Sequence, residues 1–402
     1  MLSTNILLSL LAVLSSTNAH SLKRDSGKTT LRLATKFNTL GVNNIAEADR
    51  ARAQQLRQAA TATKRDGTSV AINDNSVNYV ASVGVGEPAT NYSLIVDTGS
   101  ANTWVGASQI YQQTASSADT GNSIKVSYGS GNFTGEEWTD TVTLGSLKIQ
   151  KQSIGVASQA SGFDKGIDGI LGVGPADLTD GTVSNTDEVP TVTDNLLSQG
   201  SISANVLGVY FIPASTPTKY GDLTFGGVNS GAITGEIGYV PITSTSPANK
   251  YWGVDQSVTY GSQTILSLTA GIVDTGTTLI LLATDAYDAY VAATGAVADQ
   301  ATGLLKITPA QYGALSPLTM NIGGQKYPLS PNAQIWPRAL NTDIGGQTDA
   351  IYLIVADMKS KSGSGLDFIN GYAFLERYYT VYDTTNLRVG FAETAYTDAD
   401  TN

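Results

Sequence analysis

One six-residue pattern occurs twice in the chain and constrains its fold more than any other feature. Residues 95–100 read IVDTGS, and residues 272–277 repeat the pattern as IVDTGT, 177 positions further on. Each copy begins with an apolar, β-branched run that predicts a buried strand, and then stops at an aspartate before a glycine-containing turn. Glycine permits a close backbone approach that a side chain prevents. We therefore predict two similar halves that each deliver one aspartate, Asp97 or Asp274, to their interface.

The length and the amino terminus set the domain organisation. With 402 residues the chain exceeds one ordinary domain, so two lobes are expected. Residues 1–19 are predicted to be a signal peptide, because a short apolar core precedes small residues and a cleavage site after Ala19. This core is too short to span a bilayer, and no other stretch of the sequence is long and apolar enough. We expect a secreted protein with no membrane partner.

Two residue types that carry much of protein chemistry are nearly absent. The sequence has no cysteine, and its single histidine, His20, lies beside the predicted cleavage site. Thiol proteases, thiolate zinc sites, Ser-His-Asp triads and histidine zinc sites are therefore excluded for the mature chain. Carboxylates must carry out the proton transfers of any hydrolase with this composition. We expect no cofactor and no metal.

Charge separates a basic head from an acidic body. Residues 1–65 hold ten of the 23 Lys and Arg but only three of the 34 acidic residues. The acidic remainder argues against nucleic acids and anionic membranes as partners. We predict a propeptide over residues 20–65, with a strand at 30–34 and a helix at 45–60. The dibasic pair Lys64-Arg65 predicts processing nearby, although a solvated charge pair is the alternative.

A basic propeptide on an acidic enzyme suggests how the enzyme is kept inactive. A propeptide cation can sit over the catalytic carboxylates until acid weakens the pairing. Lys36 and Lys64 are both candidates for this cation, and the sequence does not decide between them.

The body of the chain has an all-β texture. Short runs rich in Val, Ile, Thr and Tyr alternate with Gly, Ser, Asn and Asp from residue 70 onward. Helical patches there are few and short, such as 191–199 and 284–294, the latter with Thr284 as its N-cap. Each aspartate loop is followed by an apolar strand that ends in glycine, at 170–172 and at 368–371. We expect an N-terminal lobe over 66–235 and a C-terminal lobe over 236–402.

A single Asp-Thr-Gly is a weak signal, because such aspartates often cap their own turn. Two copies with the same lead-in strand and a hydroxyl residue after each glycine favour the catalytic interpretation. On these motifs the chain resembles the pepsin family of aspartic endopeptidases, most of all its secreted fungal members. The resemblance covers about residues 78–394 and rests on the two aspartate loops, Trp104, the segment 128–131, the segment 168–172 and the closing strand 378–383.

The resemblance implies a fold, an activity and a set of residue roles. The fold is a bilobal, double-β-barrel architecture with a cleft between the lobes and a β-hairpin flap, and the activity is hydrolysis of proteins at acidic pH. Asp97 and Asp274 would activate a water molecule between them. Ser100 and Thr277 would bond the outer carboxylate oxygens, and Thr98 and Thr275 would brace the two loops. The implied site residues are Asp97, Thr98, Gly99, Ser100, Asp274, Thr275, Gly276, Thr277 and, at the flap, Trp104, Tyr128, Gly129 and Ser130.

Partners and substrate preference follow from the same resemblance. The neutral Ser130 stands where some fungal relatives carry an acid, so we predict a preference for large apolar residues at the scissile bond. Polypeptide substrates, the chain's own propeptide and pepstatin-type inhibitors are the expected partners of a monomer. Asn370 departs from the family, which usually has an apolar residue there, and a buried amide needs a partner that the sequence does not name. The sequons at Asn91 and Asn132 lie beside the catalytic strand and in the flap, which argues against glycan occupancy.

Two other functions are compatible with paired carboxylates. A glycosidase also uses two acids, but it needs neither a propeptide nor two Asp-Thr-Gly loops. A catalytically silent homologue that only binds proteins is expected to have lost an aspartate or its supporting hydroxyl, and both sets are intact here.

Overall fold

The structure is a computed structural model that describes residues 28–37, 44–61, 77–129, 131–216 and 220–402. The predicted signal peptide, the dibasic pair Lys64-Arg65 and the flap residue Ser130 lie outside the described residues.

Strands dominate the described residues, which confirms the all-β prediction. The largest sheet follows the runs of β-branched and aromatic residues, which suit a pleated, half-buried surface. Its thirteen strands are β1 (Thr29–Phe37), β2 (Val77–Val85), β3 (Thr90–Asp97), β4 (Trp104–Val105), β5 (Ala118–Ser127), β6 (Asn132–Leu144), β7 (Leu147–Ser161), β8 (Gly169–Gly172), β9 (Val206–Phe211), β10 (Tyr220–Phe225), β11 (Gly238–Pro241), β22 (Tyr378–Asp383) and β23 (Arg388–Glu393).

The C-terminal half contributes two further sheets. The larger one consists of β12 (Gly253–Tyr260), β13 (Gln263–Val273), β14 (Ile280–Leu282), β17 (Leu318–Ile322), β18 (Gln325–Leu329), β20 (Val355–Asp357) and β21 (Phe368–Asn370). The smaller one consists of β15 (Val297–Ala298), β16 (Leu305–Ile307) and β19 (Ile351–Leu353).

The two halves support their aspartate loops in the same way. β3 pairs in parallel with β8, so that Asp97 lies opposite Gly172, and β13 pairs in parallel with β21 just before Gly371. A Cβ atom built on Gly172 would lie 2.5 Å from the backbone of Ala101, directly after the first loop. A Cβ on Gly371 would overlap the carbonyl oxygens of Thr277 and Leu279 in the second half. Glycine therefore lets each supporting strand pass directly against its loop.

The predicted propeptide strand is longer than expected and lies inside the largest sheet. β1 pairs antiparallel with β10 on one side and with β2 on the other. Strand β2 in turn pairs with β3, which carries Asp97. Residues 29–37 are thus integrated into the sheet that supports the first aspartate, through backbone hydrogen bonds along both edges.

The helices are few and short, as the sequence predicts. They are α1 (Ile45–Thr61), α2 (Val192–Ser198), α3 (Thr284–Thr294), α4 (Pro309–Tyr312) and α5 (Tyr372–Leu375). Thr191 caps α2 in a reciprocal box with Asp194. The predicted N-cap of α3 is wrong, because Thr284 is already helical and donates its hydroxyl to Asp357 at 2.7 Å. None of these described helices is long and apolar enough to cross a membrane.

Candidate active site

The two predicted catalytic aspartates lie at the ends of equivalent strands and face each other. Asp97 ends β3 and is 1% exposed, and Asp274 follows β13 and is 0% exposed. The loops are joined by two reciprocal hydrogen bonds. The backbone N–H of Thr98 donates to the Thr275 hydroxyl at 3.0 Å, and that of Thr275 donates to the Thr98 hydroxyl at 2.9 Å. The position of each carboxylate is therefore tied to the other loop.

Each aspartate accepts the same pair of local hydrogen bonds. Ser100 donates its hydroxyl to Asp97 Oδ2 at 2.6 Å, and the Gly99 N–H reaches Asp97 Oδ1 at 2.9 Å. In the other loop Thr277 donates to Asp274 Oδ2 at 2.6 Å, and the Gly276 N–H reaches Oδ1 at 3.1 Å. In each carboxylate, Oδ2 accepts from a hydroxyl group and Oδ1 accepts from a backbone amide. These donors fix both carboxylates so that the two Oδ1 atoms border the same space between the loops.

A guanidinium from helix α1, within the predicted propeptide, occupies that space. Arg52 donates through Nη2 to Asp97 Oδ1 at 2.5 Å and to Asp274 Oδ1 at 2.9 Å, and through Nε to Asp274 Oδ2 at 2.7 Å. One nitrogen therefore lies within hydrogen-bond distance of both carboxylates. Burial by itself raises the pKa of Asp274, but the charge and hydrogen bonds of Arg52, with those of Thr277 and Gly276, outweigh burial and hold that pKa below its ordinary value.

Arg52 is a residue of this site that the sequence does not single out. Lys36, one of the two candidates for the blocking cation, instead donates to the carbonyl oxygen of Gly166 at 2.5 Å. The second candidate, Lys64, lies outside the described residues. The predicted helix at 45–60 carries several arginines, any of which could have been proposed as the blocking cation. Nothing in the sequence separates Arg52 from the other arginines of this helix.

Helix α1 lies across the cleft and contacts both of its walls. Gln55 donates to the carbonyl oxygen of Ser127, at the base of the flap. On the other wall the Tyr251 hydroxyl donates to the carbonyl oxygen of Leu56 at 2.7 Å, and Arg57 donates to that of Leu366 at 2.6 Å. Residues of helix α1 thus cover the two aspartates by contacts with both halves of the chain.

The glycine-rich segment after β5 forms a hairpin tip over this helix. β5 and β6 pair antiparallel, and the N–H of Tyr128 donates to the carbonyl oxygen of Gly131 at 2.6 Å. Trp104 donates through Nε1 to the Tyr128 hydroxyl at 2.9 Å. A Cβ on Gly129 would overlap the backbone of Arg52, so the tip rests directly on α1. Among the described residues, no group of three or more His, Cys, Asp or Glu side chains is close enough to hold a metal ion.

The partner of Asn370 is the amide of Gln256. Asn370 donates to Gln256 Oε1 at 2.8 Å, Gln256 donates back to Asn370 Oδ1 at 3.4 Å, and both residues are 0% exposed. The carbonyl oxygen of Asn370 accepts the N–H of Asp274 at 3.1 Å. The pair therefore satisfies two buried amides directly beside the second aspartate loop.

Removing one amide of this pair should destabilise the protein more than removing both. We expect Asn370→Leu to lower the free energy of unfolding by about 1–3 kcal/mol, because the Gln256 amide stays buried without a partner. The double variant Gln256→Leu/Asn370→Leu should recover much of this loss, since no buried amide is left unpaired. Urea unfolding of the wild type, both single variants and the double variant measures the difference. A double variant whose loss equals the sum of the single losses contradicts this account.

The chain is similar to known aspartic proteases in sequence and in structure. Residues 78–394 match the family model described as eukaryotic aspartyl protease. Polyporopepsin of Irpex lacteus is 60% identical over 338 residues, which cover 83% of this chain and 99% of that protein. Gastricsin of Homo sapiens is 30% identical over 337 residues, 79% of this chain and 81% of that protein. The crystal structure of aspartic proteinase from Irpex lacteus superposes with a TM-score of 0.80 at 54% identity, covering 93% of this chain and 100% of that one.

Proposed function

The chain belongs to the eukaryotic aspartyl protease family and is an aspartic endopeptidase with the bilobal pepsin-like fold, and from this premise we propose that it is a secreted enzyme made as a zymogen. Its catalytic residues are Asp97 and Asp274, and it cleaves proteins at acidic pH with a preference for large apolar residues at the scissile bond. Residues 20–65 are its inhibitory propeptide.

The mechanism follows from the proximity of two carboxylates. When two carboxylates lie within hydrogen-bond distance, repulsion between like charges opposes ionisation of both. One pKa therefore falls and the other rises, as is known for pepsin and its relatives. The pair then holds one proton over an acidic range. The charged member takes a proton from a water molecule between them, the protonated member donates to the scissile carbonyl, and the water attacks. Asp97 and Asp274 titrate as one unit, so neither is assigned permanently as acid or base.

The contact of Arg52 with both carboxylates is the observation that carries the zymogen proposal. A buried guanidinium fills the position between Asp97 and Asp274 that the catalytic water needs. It stabilises the doubly ionised dyad, which is the form that is inactive in the mechanism above. Acid removes this attraction by protonating the carboxylates, so acidification opens the cleft.

An apolar wall beside the flap supports the proposed substrate preference. The Trp104 ring stacks on Phe133 with ring centroids 4.1 Å apart, and Phe163 packs edge-on against Trp104 at 4.9 Å. Ile170 and Val126 belong to the same cluster. A large apolar substrate side chain next to this wall loses water contact without stranding a polar group.

The test is an acid-activation experiment on the full-length chain with haemoglobin as substrate. The chain should be inactive when kept near neutral pH and should gain activity in acid, with a new amino terminus close to residue 66 and complete inhibition by pepstatin. Paired peptide substrates that carry Phe or Lys at the scissile bond test the preference, and Phe should be cleaved faster. Full activity without processing, or a folded chain that processes but cleaves nothing, would overturn the proposal.

A further inference from the structure

Asp49 makes a second buried contact between the propeptide helix and the cleft. It lies three residues before Arg52, so both side chains project from the same face of α1. Its carboxylate accepts the backbone N–H of Leu279 at 2.7 Å and that of Thr278 at 3.1 Å, and the side chain is 0% exposed. These two N–H groups follow directly after the second aspartate loop.

This contact satisfies backbone groups that the enzyme body leaves open. The neighbouring carbonyl oxygens of Thr277 and Thr278 accept N–H groups of α5, from Tyr372 and Ala373. Within the part of the chain that the structure describes, the N–H groups of Thr278 and Leu279 donate to Asp49. Buried backbone N–H groups need an acceptor. Departure of α1 therefore leaves two adjacent donors in the cleft beside Asp274.

We propose that the N–H groups of Thr278 and Leu279 form a carboxyl-binding site separate from the dyad, and that the cleft recognises a helix carrying Asp-x-x-Arg, with α1 of this chain as its partner. The proposal rests on the inhibitory role of the propeptide given above. It adds a second anchor, Asp49, to the contact made by Arg52.

The second anchor gives the inhibitory helix a selectivity that Arg52 alone lacks. A guanidinium on the dyad can come from any arginine of a polypeptide. A carboxylate held by two N–H groups, one helical turn away, fixes the axial and rotational position of the helix on the same segment of the enzyme. The closed state therefore requires both groups at i and i+3 on a formed helix, which an extended substrate does not present.

The two anchors respond to acid in opposite directions. The groups facing Asp49 are Arg52 on its own helix, Asp274 in the aspartate loop and Tyr372 on α5. Burial raises the pKa of Asp49 to about 7, although the N–H groups of Leu279 and Thr278 and the charge of Arg52 oppose the rise. Because this pKa is higher in the closed state than in the open one, falling pH favours burial of Asp49, and so the closed state, while it weakens the Arg52 contact. Asp49 thus shifts opening of the cleft to lower pH.

The experiment compares full-length variants before processing, with labelled pepstatin as the probe of an open cleft. Asp49→Ala removes the anchor, Asp49→Asn keeps one acceptor oxygen without the titration, and Glu47→Ala is the control. Glu47 lies on the same helix, but its side chain is half exposed and pairs with Arg50 of that helix at 3.3 Å. Stopped-flow measurements between neutral and acid pH give the apparent affinity of each full-length variant for labelled pepstatin. At each pH this value is divided by the affinity of the processed enzyme, so that the ratio reports the open fraction of the cleft.

We expect Asp49→Ala to bind pepstatin about 10- to 100-fold more tightly than the wild-type chain, the range for buried N–H groups left without an acceptor, and Glu47→Ala to match the wild type. Asp49→Asn should show a steeper gain of affinity as pH falls, because the opposing titration is gone. Equal affinities for Asp49→Ala and Glu47→Ala would overturn the carboxyl-site proposal, as would an unchanged slope for Asp49→Asn.

Failure of the zymogen proposal looks different in the same assay. In that case the wild-type full chain binds pepstatin as tightly as the processed enzyme, and Arg52→Gln changes nothing. Folding damage is also separable, because every variant yields the same mature enzyme after processing. The yield of active enzyme therefore reports folding, and the affinity before processing reports the anchor.

Discussion

Asp97→Asn should lower kcat/KM for haemoglobin by about 10⁴-fold, and Asp274→Asn should do the same, because loss of an essential acid–base group has effects of this order. An amide cannot ionise, so the pair can no longer share one proton and deprotonate a water molecule. The fold should be retained. An asparagine at 97 can still accept the Gly99 N–H through Oδ1, and the Ser100 hydroxyl can reverse its bond and accept from Nδ2.

The measurement is initial-rate proteolysis in acid by wild type, both Asn variants and Asp187→Asn as a charge-matched control at an exposed aspartate. The control should retain wild-type activity. Titration with pepstatin counts active sites, so trace contamination by wild-type protease is detected. Pepstatin-sensitive activity within tenfold of wild type in Asp97→Asn would refute the dyad mechanism.

Arg52→Gln should allow the cleft to open at a higher pH than in the wild-type chain. Removing one partner of a buried ion pair costs about 3–5 kcal/mol, which corresponds to an increase of about 10²- to 4 × 10³-fold in the open-to-closed ratio near neutral pH. In the closed wild-type chain, Arg52 holds the pKa of Asp274 below its ordinary value. That stabilisation is present above the ordinary pKa of an aspartate and is lost as pH falls through the depressed value. The wild-type chain therefore needs stronger acid than the variant.

The pH dependence of processing, followed by gel electrophoresis and amino-terminal sequencing, measures this shift. Arg52→Lys should fall between the two proteins, because an ammonium keeps the charge but not the fork that contacts both carboxylates. Arg50→Gln is the matched control, since Arg50 is on the same helix but donates to the carbonyl oxygen of Asp357. If Arg52→Gln and Arg50→Gln process with the same pH profile, Arg52 is not what keeps the cleft closed.

Much of this protein is determined by local sequence. Strand, turn and helix preferences act over a few residues, so the repeated Asp-Thr-Gly loops predicted the two strand ends at Asp97 and Asp274. The sequence also shows the glycines at the ends of the two supporting strands, Gly172 in β8 and Gly371 directly after β21. Close packing leaves no room for a side chain at either position. The helix at 45–60 follows from composition alone. The N-cap of α3 was predicted wrongly because the Thr284 hydroxyl does not cap the helix. It binds Asp357 instead, a residue far away in the chain, which local sequence does not indicate.

Tertiary structure alone decided which groups meet in the cleft. Arg52 contacts Asp97 across 45 residues and Asp274 across 222, and Asp49 reaches Leu279 across 230. Asn370 finds Gln256 across 114 residues. In the sequence, Arg52 is one of several equivalent cations in the predicted propeptide. Only the docking direction of α1, set by the apolar surfaces it buries and by the walls it contacts, turns that one guanidinium toward the two aspartates.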